Sequence, residues 1–265
     1  MLSNVFLKTL WDHWRATMWF CVGLIALSLY TSLFYPSISG VSELEDFLAQ
    51  LPEALVALFG GITDLATPEG FFNTQIFYFM APLILIVYAV TRGATAIAGE
   101  EANGTLDQLL SNPVSRTRVV IQKAAAMAVG VTALGVALWA GLTAGTFIAD
   151  IELSLVRLAA ICFSVALMAL AMGLLALAIG ASTGRQTMSM ALAGVVAIVS
   201  YLLHAFQELV DFLEPARFVS VFYYALGNEP LKNGLSLAHV LILVGIALVA
   251  LTVAVVGLER RDLQG

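Results

Sequence analysis

Residues 98–123 read AGEEANGTLDQLLSNPVSRTRVVIQK. This stretch lies between two long apolar segments, and on or beside it stand Arg92, Glu100, Glu101, Asp107, Arg116, Arg118 and Lys123. So many charges cannot be held in hydrocarbon, so the stretch is predicted to be a soluble loop joining two membrane spans. Thr105 followed by Gln108 reads as a capping box, Gly104 supplies flexible backbone just before it, and Pro113 stops the helix after two turns at most. Leu106, Leu109 and Leu110 then share one face. An exposed helix keeps such a stripe only when something packs on it: the membrane surface, the chain's own helix ends, or a partner.

Working outward, the composition is that of a chain dissolved in lipid. Apolar residues make up 60% and charged residues 11%, against about 45–50% and ~25% in soluble domains. Six windows are long and apolar enough to cross a hydrocarbon core of roughly 30 Å as helices: 16–36, 72–97, 119–148, 154–181, 187–207 and 236–258. Their apolar runs are continuous rather than alternating, which excludes a membrane β-barrel. The predicted fold is an all-α polytopic bundle in which residues 1–265 form one membrane domain. With the N-terminus inside, Lys8, Arg15, Arg92, Arg116, Arg118, Lys123, Arg185, Arg260 and Arg261 are all cytoplasmic, and only Arg157, Arg217 and Lys232 are outside. Both termini are therefore placed in the cytoplasm. The net charge of −6 reflects acidic residues of the external segment, from Glu43 to Glu69. Cys21 and Cys162 fall within apolar segments and read as inert small hydrophobes.

Leu7, Trp11, Trp14 and Met18 recur at helical spacing opposite Lys8, Asp12 and Arg15, a pattern suited to an interfacial helix over residues 2–15 or to an extension of the first span. Between residues 37 and 71, Leu44, Phe47, Leu48, Leu51, Leu55, Leu58 and Phe59 predict an external amphipathic helix. Phe72, Phe77, Tyr78 and Phe79 suit an interface belt with packing, or the lining of an apolar path. Gly141-x-x-x-Gly145 and Gly180-x-x-x-Gly184 permit close helix contact. Gly180-Ala181-Ser182-Thr183-Gly184 also fits G-x-S-x-G with His204 downstream. However, about 25 Å of helix at 1.5 Å per residue separates the two ends, which excludes a serine protease. His204, Glu208 and Asp211 are the titratable cluster nearest membrane depth, a candidate outer gate or a simple water-facing helix end. Turn residues break 213–235 into short pieces.

The pattern Glu101, Gly104-Thr105-Leu106, Leu109-Leu110, Pro113, Ser115-Arg116 and Lys123 resembles the E-x-x-G-T-L-x-x-L-L-x-x-P-x-S-R-x(6)-K segment that follows the second membrane helix of ABC-2-type transporter permeases. The ending Glu259-Arg260-Arg261-Asp262-Leu263 is similar to that family's close. The resemblance implies six spans with an N-terminal elbow helix, a coupling loop over 98–118 that docks on a separate ABC ATPase, and short external re-entrant helices before the last span. It implies a second permease copy, a place in the cytoplasmic membrane, and transport rather than catalysis by this chain. Glu101, Gly104, Thr105, Leu106, Leu109, Leu110, Pro113 and Arg116 would form the coupling site, with ATP and Mg²⁺ on the partner. The chain itself has no phosphate-binding G-x-x-x-x-G-K-[ST] loop and no basic stripe for nucleic acid. A hydrophobic or amphipathic cargo suits its Phe, Met and Ala content. The alternative, a stand-alone secondary transporter or channel, would call for paired mid-helix charges or broken helices in repeated halves, and midplane charges are nearly absent.

Overall fold

The computed structural model describes residues 4–38, 52–58, 67–106, 114–207 and 209–261. Within these residues the regular structure is helical, and six helices are long and apolar enough to cross a membrane. They are α1 (Val5–Ile38), α3 (Pro68–Ala102), α4 (Arg116–Ile148), α5 (Leu155–Thr183), α6 (Gln186–Phe206) and α9 (Leu237–Arg260). The short helix α2 (Glu53–Leu58) precedes α3. A 3-10 segment, Asp211–Val219, and the short helices α7 (Val221–Leu226) and α8 (Pro230–Asn233) precede α9. The predicted all-α architecture with six spans is what the chain adopts. Of the external amphipathic helix expected from Leu44 to Phe59, only Glu53–Leu58 lies within the described residues.

Segment 5–15 is not a separate helix. It runs without a break into the first span, because no proline and no glycine interrupts the chain before Gly23. The resulting 34 residues extend ~51 Å at 1.5 Å per residue, well beyond the ~30 Å hydrocarbon core. Helix α3 contains two π-helical turns, Asn73–Phe77 and Thr95–Gly99. The aromatics near its start pack inward: Phe71, Phe72 and Phe77 are fully buried, and Tyr35 of α1 stacks on the first two.

Helix α5 is the hub. Its apolar window is 72% buried, against 22% for α1 and for α9, and α3, α4, α6, α7, α8 and α9 all pack on it. Ser164 of α5 donates to Ala225 O of α7 (2.8 Å), which ties the short outer helices to the hub. Helix α1 is attached mainly through α4. At that crossing the Gly141-x-x-x-Gly145 pair does what its spacing suggested. A Cβ on Gly141 would sit 2.9 Å from Ile25 Cα and from Ser28 Cβ, and one on Gly145 would collide with Ser32. The second pair behaves differently. Gly184 has φ +70° and caps α5, its N–H donating to Gly180 O (2.9 Å), so it ends a helix rather than packing one.

Candidate functional site

The site is built on the end of α3. There Gly104 has φ +67°, its N–H donates to Glu101 O (2.9 Å), and the Thr105 N–H donates to Glu100 O (2.9 Å). These two bonds form a Schellman motif, in which a left-handed glycine closes the last turn and satisfies orphan carbonyls. Gly104-Thr105 therefore terminates α3, rather than only preparing a following helix as the capping-box reading supposed. Thr105 also donates its hydroxyl to Glu100 O (3.1 Å). Gln108, the other half of the expected box, lies outside the described residues.

Neighbouring residues of a helix project about 100° apart, so Glu100 and Glu101 reach different partners. Glu100 Oε1 pairs with Lys123 Nζ of α4 at 2.6 Å, with the lysine side chain only 3% exposed and the glutamate 28%. Glu101 pairs with Arg261 at the end of α9. The same Arg261 donates to Ala181 O near the end of α5 (3.1 Å), and its guanidinium lies against Gly184, where a side chain would collide with it. Arg116, the first residue of α4, donates to Leu258 O (3.0 Å) and Arg261 O (2.8 Å). A guanidinium on the free carbonyls of a helix C-terminus satisfies orphan acceptors and opposes the negative end of the dipole. Thr117 donates its hydroxyl to the Glu259 carboxylate in the same joint. The α3 end is thus fastened to α4, α5 and α9 by side chains far apart in sequence.

The family described as ABC-2 family transporter protein matches residues 11–263 of the chain. The chain belongs to that family. Among curated proteins no match is found. It is accordingly a multi-pass membrane permease of the ABC transporter class, and its six spans agree with that.

In this ABC-2 permease the expected coupling residues divide. Glu101, Gly104, Thr105 and Arg116 come together at the joint just described. Leu106 is 1% exposed and belongs to the chain's own core. Leu109, Leu110 and Pro113 lie outside the described residues. Arg261 is turned inward onto Glu101 and α5, while Arg260 is exposed. At the opposite end His204 is buried, its ring 5.6 Å from that of Tyr78, with Gln207 Nε2 3.3 Å from its Nδ1. Asp211 opens the 3-10 segment, and Glu208 lies outside the described residues, so the three are not brought together as a described cluster. Sequence reasoning missed the part played by Glu100. Its signal was a carboxylate beside the motif and a lysine closing it, Lys123, which α4 holds within reach.

Proposed function

We propose that this permease is the membrane half of an ATP-driven exporter of a hydrophobic or amphipathic compound. Both termini and the 98–118 loop face the cytoplasm, where ABC ATPase subunits that carry ATP and Mg²⁺ seat against the loop. One observation supports the coupling role above the others: the α3 end is bonded to α4, α5 and α9 together. A push on the loop is then delivered to the hub helix and to the last span at once. Because Leu106 is taken up by the chain's own core, the partner contact falls to Leu109 and Leu110. A second permease copy completes the pathway, since the little-buried α1, α6 and α9 keep peripheral faces for lipid or a partner.

The test is a pull-down of the ATPase with Leu109→Asp and Leu109→Met permeases. An unpaired carboxylate forced into an apolar groove is penalised by several kcal/mol, on the order of what a docking contact supplies. Leu109→Asp should lose the ATPase and its stimulated hydrolysis. Leu109→Met, which keeps volume and apolarity, should retain both. Intact binding and hydrolysis with Leu109→Asp would remove the loop from the coupling role.

A further inference from the structure

A cavity of about 480 Å³ opens between α1, α3 and α4 on the same end of the bundle as the loop. Its walls combine two chemistries. Leu10, Ala126, Met127, Val129 and Ala133 supply an apolar side, whereas Asp12, Arg92, Glu100 and Lys123 supply two anions and two cations. These charges do not simply neutralise one another. Lys123 is engaged with Glu100 Oε1, but Glu100 Oε2 is buried without a hydrogen-bond partner among the described residues, a costly condition for a carboxylate oxygen. The Arg92 side chain makes one hydrogen bond among the described residues, from Nη1 to His13 Nδ1 (2.9 Å), and its guanidinium lies 5.3 Å from the Tyr88 ring centre. Among the described residues the other N–H donors of its fork take no hydrogen-bond acceptor. Asp12 is exposed; its charge acts on Lys123 and His13, and its carboxylate makes no hydrogen bond or ion pair among the described residues.

We propose that this cavity binds a membrane phospholipid with a zwitterionic, amine-bearing headgroup. The phosphate would meet the open donors of Arg92, which match phosphate geometry. The ammonium would meet Asp12 and, after a small rotation of its carboxylate, Glu100. The first acyl carbons would lie on the Met127, Val129 and Ala133 wall of α4. An anionic lipid with no amine would satisfy Arg92 but leave both carboxylates facing its negative charge. That the lipid enters from the cytoplasmic leaflet rests on the orientation proposed above. The binding chemistry itself does not.

The experiment titrates the purified full-length permease, in detergent, with phosphatidylethanolamine and with phosphatidylglycerol of the same acyl chains, read by native mass spectrometry. Phosphatidylethanolamine should bind more tightly by on the order of tenfold, about 1.4 kcal/mol. Asp12→Asn, which disturbs no described bond of the fold, should remove most of that preference. Arg92→Gln should weaken both lipids. Ala133→Phe, which fills the apolar wall and leaves every charge in place, should also weaken both while keeping their order. Equal or tighter binding of phosphatidylglycerol to the unaltered protein, or unchanged affinities in Asp12→Asn and Arg92→Gln, would overturn the assignment. Soluble glycerophosphoethanolamine binding as tightly as the lipid would overturn a membrane source. ATPase pull-down on the same variants should be unchanged, so a failure of lipid binding is told apart from a failure of the coupling reading.

Discussion

At the loop end the helices are joined by charged side chains that cross from one helix to another: Lys123 to Glu100, Arg261 to Glu101, Arg116 to the carbonyls of α9. At the opposite end they are joined by rings. Tyr78, Phe79, Tyr201 and Phe222 stack edge-on or tilted, with centroids 5.5–5.9 Å apart in the pairs Tyr78–Tyr201, Phe79–Tyr201 and Tyr201–Phe222. Tyr78 donates to Ala57 O (3.1 Å), and Tyr201 donates to Leu58 O, which seats α2 on this patch. Ring contacts are weakly directional and tolerate sliding, at about 0.5–1.5 kcal/mol each. Charge-assisted bonds fix angle and register. The loop end is therefore held by directional, charge-assisted bonds, and the opposite end mainly by ring contacts together with hydroxyl-to-carbonyl bonds from Ser164 and Ser220.

Breaking the buried pair should produce the largest effect. Glu100→Leu leaves Lys123 buried without a partner, a loss of about 3–5 kcal/mol, seen as a lower unfolding temperature in detergent. Adding Lys123→Met should restore most of it, because the uncompensated charge is then gone. A smaller effect is expected from Arg261→Ala, which removes bonds from α9 to Glu101 and to Ala181 O. Bonds to charged groups contribute roughly 1.5–3 kcal/mol. ATPase binding should persist while transport per ATP hydrolysed falls, because the loop loses its grip on α5 and α9. Retained transport efficiency in reconstituted vesicles would count against a transmitting joint. The smallest effect is expected at the ring end: Tyr201→Phe keeps the stack and loses one hydroxyl bond, about 0.5–1.5 kcal/mol, with coupling unchanged. A coupling defect in Tyr201→Phe equal to that in Arg261→Ala would erase the distinction between the two ends.

The spans and their number were legible because hydrocarbon imposes the same demand on every stretch that crosses it, and 20 or more apolar residues in a row answer that demand. The motif at 101–116 was legible as a pattern, but the bonds made by its polar members were not. Glu101 and Arg261 are 160 residues apart, and nothing in local spacing assigns one to the other. The continuity of α1 was readable from the absence of a breaker, yet the Trp11 and Trp14 pattern drew attention toward an interfacial helix. Gly104 was recognised as a special backbone position, but its part in closing α3 was not read: a glycine before a threonine serves equally to close one helix or to precede another. The π-helical turns of α3 leave no compositional mark, since they depend on how the helix is packed.

The crossing of α1 and α4 also has a consequence for biogenesis. Ser28 of α1 faces Leu138 of α4, 110 residues further along the chain. At synthesis rates of ~5–20 residues per second, the first span resides in the bilayer for on the order of ten seconds before its partner emerges. During that wait its hydroxyls need no rescue. Ser28 donates to Leu24 O (2.7 Å), Thr31 to Leu27 O (3.0 Å) and Ser32 to Ser28 O (2.9 Å), all within the same helix. The small polar stripe that later admits Gly141 and Gly145 is thus already satisfied in lipid, so the nascent helix can pause as a stable insertion intermediate and dock by shape once α4 arrives.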